Sequence, residues 1–543
     1  MTTTADTTTR AAVLDDAHLG DIQGALGTIR LDDHGARRGL SAKVKTLLAI
    51  AGPGLIVMVG DNDAGAFATY GQAGQDYGTH LLWTLLLLVP VLYVNQEMVL
   101  RLGAVTGVGH ARLILERFGR FWGAFSVIDL FVLNALTLVT EFIGITLAAG
   151  YLGLPKAASV LLAAAIIVAS AFTGSFRRFE RIAMALCAGS LLLVPISFMV
   201  HPAASQLAHD LVVPGLPGGS GQLATVMLLI IGIVGTTVAP WQLFFQQSYV
   251  IDKRITPRFM RYEKADLVLG IVVVIVGATA LMGACAAAFA HTGAAGGFTD
   301  TAGVAHGIAA HAGRVAGVLF AIALLDASII GAFAVSLSTA YAIGDVFGIK
   351  HSLHRGVKGA KGFYAVYAAL VALAATIVLI PGSPLGLLTE GVQTLAGVLL
   401  PSASVFLLLL CNDREVLGPW VNGARTNAFT AAVVGVLVTL SVILTASVLF
   451  PRITANAILD IMVGCGAAGL LAAGYALARR RTAATADPVD RTGRDSWRMP
   501  PRETLTRPVM ATGRKIGMGA LRAYLAVAMV LVIIKIVEVA LGS

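Results

Sequence analysis

Asp61, Asn62 and Asp63 interrupt a run of the chain that is otherwise built of apolar and small residues, Ala51-Gly-Pro-Gly-Leu-Ile-Val-Met-Val-Gly before them and Ala64-Gly-Ala-Phe67 after. Charge in the middle of such a run is costly and by default marks a functional site. Asp and Asn compete with helix through local backbone hydrogen bonds, and Gly60 and Gly65 lie close by. The stretch is therefore expected to unwind, leaving free carbonyls beside two carboxylates. Backbone of that kind is tolerated at membrane depth only where it lines a cavity or is buried in protein. The plainer alternative is a pair of aspartates capping a helix fragment. A second interruption, Gly232-Ile-Val-Gly-Thr-Thr-Val-Ala-Pro-Trp-Gln242, carries Pro240. Proline frees a carbonyl one turn earlier, near Thr236, and Thr236 and Thr237 add hydroxyls. Its plainer alternative is an ordinary proline kink.

The elements that must position these groups follow from composition. Of 543 residues, 57% are hydrophobic and 13% charged, with 60 glycines, and the mean hydropathy is +0.82. Soluble domains run at about 45–50% apolar and about 25% charged. The chain reads as an all-α polytopic membrane protein. A spanning helix needs roughly 20 mostly apolar residues. Candidates lie at 47–72, 79–100, 122–152, 157–173, 182–200, 222–248, 265–290, 315–346, 362–380, 385–411, 427–450 and 455–478. A thirteenth at 521–541, interrupted by Lys535 and Glu538, would span or lie in the interface. The implied organisation is a cytoplasmic tail (1–45), a core of helices 1–11 (46–450), an additional transmembrane helix (451–478), a basic cytoplasmic linker (479–515) and a C-terminal helix (516–543).

The net charge of +9 could suggest a nucleic-acid binder. Its distribution argues otherwise: with the N-terminus inside, 35 of the 39 Lys and Arg fall on one side of the span map. Cationic excess marks the cytoplasmic face, so the tail is placed there and no nucleic acid is implied. The tail itself reads as soluble and partly disordered. The connections at 201–221 and 291–313, rich in Gly, Pro, Ala and His, read as flexible surface loops. Their histidines, His201, His209, His291, His306 and His311, read as solvated. Cys187, Cys285, Cys411 and Cys465 lie in apolar stretches without metal-site spacing and receive no disulfide or zinc role. Asp326, inside the eighth span, reads as an interhelical hydrogen-bonding group ahead of an ion-path residue.

The interruptions fall in the first and sixth spans. That is the pattern of an inverted five-plus-five helix repeat with a substrate site at midplane between two discontinuous helices, and it points to a secondary transporter. With Gly52-Pro53-Gly54 followed by Asp63-Ala64-Gly65-Ala66, the residues resemble the NRAMP family of divalent metal transporters. Gln72-Ala-Gly74, Leu82-Trp83, Gln96, Arg101-Leu-Gly-Ala-Val-Thr-Gly107, Glu141-Phe-Ile-Gly144, Gly235-Thr-Thr-Val-Ala-Pro240, Gln393, Leu400-Pro401 and Asn412-Asp413-Arg414 continue the match. The resemblance covers roughly residues 46–450 and implies a leucine-transporter-type fold with additional C-terminal helices.

It also implies a ligand set. Family members that carry manganese and iron ligate metal through the motif Asp and Asn, a sixth-helix carbonyl and a sixth-helix Met. These positions are here Asp63, Ala66, Thr236 and Ala239. The family's sixth-helix histidines become Trp241 and Gln246, and an Asp of its proton path becomes Leu138, while Glu141 is retained. This set resembles the NRAMP-related magnesium transporter branch. A thioether favours soft transition metals, whereas carboxylate, carbonyl and water suit Mg²⁺ and Mn²⁺. Mg²⁺ sheds water reluctantly and binds through one or two carboxylates plus retained waters.

The expectation is therefore that Asp63 binds the ion directly or through one water, with Asp61 as a further carboxylate. Thr236 would offer carbonyl and hydroxyl, and Glu141, Asn62 and Gln393 would hold the outer water shell, while Ala66 and Ala239 widen the site. Glu141 could instead be a structural partner of a neighbouring helix, and Gln393 an interhelical hydrogen-bonding residue. The function implied is import of Mg²⁺, with Mn²⁺, into the cell across the plasma membrane by alternating access without strict proton coupling. The metal is cargo, no cofactor is implied, and no enzyme chemistry is expected. The partners are the metal and the lipid bilayer, and the oligomeric state is left open, a monomer being sufficient. The rivals are a proton-coupled Mn²⁺/Fe²⁺ transporter and a sodium-coupled organic-solute carrier of the same fold.

Overall fold

The computed structural model describes residues 12–217, 223–381, 385–450, 453–482 and 489–506, with scattered positions from 508 to 530; at a few helical positions only the backbone is described. A short hairpin of β1 (Ile22–Gly24) and β2 (Gly27–Ile29) leads into helices throughout. The expected first span is divided in three. Helix α1 (Leu40–Ile50) ends at Ala51–Gly52, where the chain bends by 54° into α2 (Pro53–Val59), and α3 (Ala64–Tyr77) follows the Asp-Asn-Asp stretch. The helix starting at Pro53 uses proline's fitness for a first helical position.

Next come α4 (Trp83–Thr106), α5 (His110–Phe118), α6 (Arg120–Tyr151) and α7 (Lys156–Ala171). Then α8 (Phe176–Gly189) runs through a tighter turn into α9 (Leu193–Val200), and α10 (Ala204–Val212) follows. The second broken helix is α11 (Leu223–Thr237) and α12 (Pro240–Asp252). Beyond it lie α13 (Met260–Phe289), α14 (Thr301–Ala312), α15 (Arg314–Phe347), α16 (Lys361–Leu379), α17 (Leu385–Cys411), α18 (Arg414–Leu417), α19 (Ala424–Leu449) and α20 (Ala455–Thr482). Among the described residues nine helices are long and apolar enough to cross a bilayer, or up to eleven if each sharply bent pair is one span. The expected fourth span is the shorter α7, 16 residues long. The expected span at 521–541, with Lys535 and Glu538, lies largely outside the described residues.

The two broken helices sit at the centre. Helix α13 packs against both α2 and α3, α12 packs against α4 and α15, and α6 runs along α15. Small residues permit these approaches, as they do in membrane bundles generally. A Cβ at Gly54 would lie 2.6 Å from the Leu267 backbone nitrogen, and one at Gly270 would lie 2.9 Å from Met58 Cβ, so α2 and α13 meet nearly backbone to backbone.

Three expectations are corrected. The N-terminal tail is folded from residue 12: Ala12, Ile22, Ala25 and Ile29 are buried, and Asp15 and His18 are anchored on distant loops. The expected loops at 201–221 and 291–313 carry α10 and α14; Asp300 caps α14 by accepting the Gly303 N–H at 2.8 Å. The expected linker at 479–515 is, over residues 489–506, packed on the bundle: Met499 N–H donates to Val105 O at 3.2 Å and Trp420 Nε1 donates to Arg494 O at 2.7 Å. Each of these segments is polar enough to read as solvated, but each satisfies its polar groups on partners far away in sequence.

Candidate metal site

The first break spans Gly60 to Asp63. Helix α2 closes with Gly60 N–H donating to Ile56 O at 2.9 Å, and α3 opens with Asp63 in extended backbone. Asp63 Oδ1 accepts the Ala66 N–H at 2.9 Å. The capping alternative is thus geometrically real for Asp63, and it occupies one of two carboxylate oxygens. Glu141, on α6, places Oε2 3.2 Å from the Ala64 N–H, so two carboxylates attend the start of one helix, where its dipole favours negative charge. Glu141 Oε1 has no hydrogen-bond partner among the described residues.

Their approach depends on a residue the sequence reading passed over. Gly331 on α15 faces both: a Cβ there would lie 2.8 Å from Glu141 Oε2 and 2.9 Å from Asp63 Cβ. Glycine is common in membrane helices, and nothing local to the sequence distinguishes this one.

Asp61 turns to the second broken helix. Its Oδ1 accepts a hydrogen bond from Gln242 Nε2, and Gln96 Nε2 in turn donates to Gln242 Oε1 at 2.8 Å. Asp61 Oδ2 has no partner among the described residues. A second link joins the breaks, with the Tyr70 and Thr237 hydroxyls 2.7 Å apart. Gln242 and Tyr70 were therefore missed as site residues. An amide two positions after the helix-breaking proline was the available signal for Gln242.

The second break is narrower. Ala239 sits in extended backbone and Pro240 begins α12, so the Thr236 carbonyl has no N–H at residue 240 to accept from. The Thr236 hydroxyl is also without a partner among the described residues. Asn62 is directed to α13, donating from Nδ2 to Val274 O at 3.2 Å, with Oδ1 unpartnered among the described residues. Ala66 and Ala239 are buried and carry no donor atom. Gln393 lies on α17, and its side chain falls outside the described residues.

Asp61, Asn62, Asp63, Ala66, Glu141, Thr236 and Ala239 are all at most 6% exposed. A small cavity on the α14 side reaches Ala64 and Ala68 past Thr140, Phe298 and Asp300. Another, lined by Ser126, Asp129 and Ser402, adjoins Pro240.

Among the described residues no group of three or more His, Cys, Asp or Glu side chains is arranged to enclose a metal ion by itself. What the breaks bring together is a set of hard oxygens, several of them buried without a protein partner among the described residues. The expected hydrogen bond of Asp326 is not seen at Oδ2, which lacks a partner among the described residues.

Residues 54–447 match the family model for Nramp, natural resistance-associated macrophage protein-like. A divalent metal cation transporter MntH of Ralstonia nicotianae is 30% identical over 411 residues, 71% of this chain and 87% of that protein. The chain belongs to the Nramp family. An MntH of Burkholderia ambifaria is 32% identical over 325 residues, 56% of this chain and 69% of that protein. The manganese transporter of Eremococcus coleocola, crystallised with an aromatic bis-isothiourea compound, superposes with a TM-score of 0.63 at 20% identity over 82% of this chain and 97% of that one. The Nramp chain thus has the leucine-transporter-type fold expected of the two interrupted helices. Its relatives are named as divalent metal cation transporters.

Proposed function

We propose that this Nramp protein imports Mg²⁺, and Mn²⁺ with it, by alternating access around the two helix breaks, as a mostly hydrated ion and without strict proton coupling. Divalent metal cation transport is the activity named for its relatives, and the finer reading rests on one observation. Among the described residues the breaks offer oxygen donors, Asp63, Asp61, Glu141 and Thr236, beside two alanines and no thioether or imidazole. Hard, strongly hydrated dications suit such a set, and a retained water shell would meet the unsatisfied oxygens. Asn62 Oδ1 and Gln393 would serve that shell.

The lack of sixth-helix histidines, with Trp241 and Gln246 at those positions, favours uncoupled movement. The membrane potential supplies about 2.3 kcal/mol per charge per 100 mV, so a dication gains about twice that. The cationic face, which carries the β1–β2 hairpin, is assigned to the cytoplasm of a cell whose plasma membrane holds the protein.

The deciding experiment is uptake into proteoliposomes of Mg²⁺, Mn²⁺, Ca²⁺ and Cd²⁺ at a set potential, with a pH dye inside. Mg²⁺ and Mn²⁺ are expected to enter without stoichiometric acidification. Obligate proton entry, or a preference for Cd²⁺ over Mg²⁺, would return the protein to the proton-coupled transition-metal reading. The variant carrying Ala66→Asn and Ala239→Met should shift preference toward Cd²⁺.

A further inference from the structure

The N-terminal segment, residues 12–35, contacts nearly every element that frames the hairpin end of the two broken helices. Its tip is Gly24-Ala25-Leu26-Gly27. The Ala25 N–H donates to Glu180 Oε2 at 2.5 Å, and Glu180 Oε1 holds Lys253 Nζ at 2.7 Å. Lys253 also donates to Ala51 O at 2.8 Å, just before α2. The hairpin therefore closes directly over the ion pair that joins α8, the end of α12 and the start of α2, and both charged groups of that pair are fully buried. Glycine makes the fit possible, since a Cβ at Gly27 would lie 3.0 Å from Ala49 Cβ, and one at Gly24 would press still closer on the Ala49 backbone.

The rest of the segment is tied as firmly. Arg181 Nε donates to Ala25 O at 3.1 Å and Arg177 Nε to Gly24 O at 3.2 Å, both from α8. Arg254, just after α12, donates to Ala17 O at 2.9 Å and Asp21 O at 3.1 Å. Beyond α15, Arg355 Nη2 reaches Asp15 Oδ1 at 2.5 Å, and His18 Nε2 lies 3.0 Å from His351 O. Arg258, ahead of α13, donates to Asp33 O at 2.6 Å and Gly35 O at 2.9 Å.

In the alternating access proposed above, opening a path from the site to this end would part α2 and α12 from α8 and α15. The segment is bonded to α8 and to the stretches that follow α12 and α15, and it packs on α1, so such a parting would break those bonds. We infer that residues 12–35 form an autoinhibitory strap, which must lift from Glu180 and Arg355 before the site opens to the cytoplasm, so that strap release limits turnover. This rests on the alternating-access reading above, but not on which ion is carried.

The test uses the full chain in proteoliposomes. Arg355→Ala, which frees Asp15, and Ala25→Pro, which removes the N–H from Glu180, should each raise the maximal Mg²⁺ uptake rate several-fold with unchanged KM and ion preference. With Cys285, Cys411 and Cys465 replaced, the buried Cys187 on α8 should react faster with an impermeant maleimide from the hairpin side in both variants. That readout holds whether or not Mg²⁺ is the cargo. Conversely, Leu26→Cys and Arg181→Cys joined by a reducible cross-linker should stop uptake, and reduction should restore it, which no folding defect would do. Equal or slower uptake in both release variants with unchanged Cys187 labelling, or undiminished uptake in the cross-linked protein, overturns the strap.

Discussion

The first broken helix and the second meet at the same level of the bundle, but different chemistry breaks them. Between α2 and α3 the gap is four residues wide and carries two acids, both candidate ligands, of which Asp63 also caps α3. Between α11 and α12 the gap is two residues wide and made by a proline, and it contributes hydroxyl, carbonyl and amide groups of its own. In a fold built of two inverted repeats, one half brings the carboxylates and the other brings dipoles. The carboxylates at the breaks, Asp61, Asp63 and Glu141, all come from the first half. The other half holds that charge in place, through Gln242 on Asp61.

Several measurements would break or sharpen this contrast, and the first break should dominate. Asp63→Ala is expected to reduce Mg²⁺ uptake by at least about a hundredfold, in line with the ~3 kcal/mol typical of removing a buried charged partner. Folding would be checked by size-exclusion chromatography, and near-normal uptake would remove Asp63 from the site. Gly331→Ala should raise the apparent KM about tenfold, because its methyl presses on Glu141 and Asp63 in space already filled, an intrusion that costs ~1–3 kcal/mol. An unchanged KM would show that the two carboxylates need not lie together.

On the second break the effects should be smaller. Gln242→Leu leaves Asp61 without its donor and should raise KM by about five- to tenfold, the ~1–1.5 kcal/mol of one hydrogen bond, with Gln242→Asn restoring part of the loss. Thr236→Val removes a hydroxyl but keeps the carbonyl, and a change of about threefold or less is expected. If Thr236→Val proves as damaging as Asp63→Ala, the division between charged and neutral halves is wrong.

The smallest effect lies away from both breaks, in the loop after α15 on which the strap is anchored. Burial opposes a charge on His351, but Asp345 beside it, the Ile349 carbonyl and Asp252 outweigh that and push its imidazole up to about 9. A raised value means that the charged form stabilises the fold fully below about 6.5, and the contribution is lost as pH rises through about 9. The detergent-solubilised protein should therefore lose a few degrees of Tm between pH 7 and pH 10, and His351→Gln should lose this dependence.

Much of this was legible in the sequence for local reasons. Asp61, Asp63 and Pro240 declare themselves because each violates the chemistry of an apolar helix at its own position. Glu141 and the alanines at 66 and 239 needed a resemblance, since neither an acid in a long helix nor a missing side chain identifies itself. Gln242 was visible as an amide in a span but gave no sign of its partner. Gly331 and the glycines of the hairpin tip were not legible, because an absent Cβ acquires meaning only from what comes close to it. The N-terminal tail misled for the same reason: its polar residues looked solvated, while their partners lie between about 150 and 340 positions away.

The sequence alone therefore determined that this is a bundle of membrane helices, where two of them break, and which donor types the breaks can offer. Those follow from hydropathy and backbone chemistry, which act over a few residues. Only the tertiary structure decided that Glu141 shares a helix start with Asp63, that one break steadies the other, and that the tail closes over one end. Those depend on which faces meet, and that is set by packing between helices far apart in the chain.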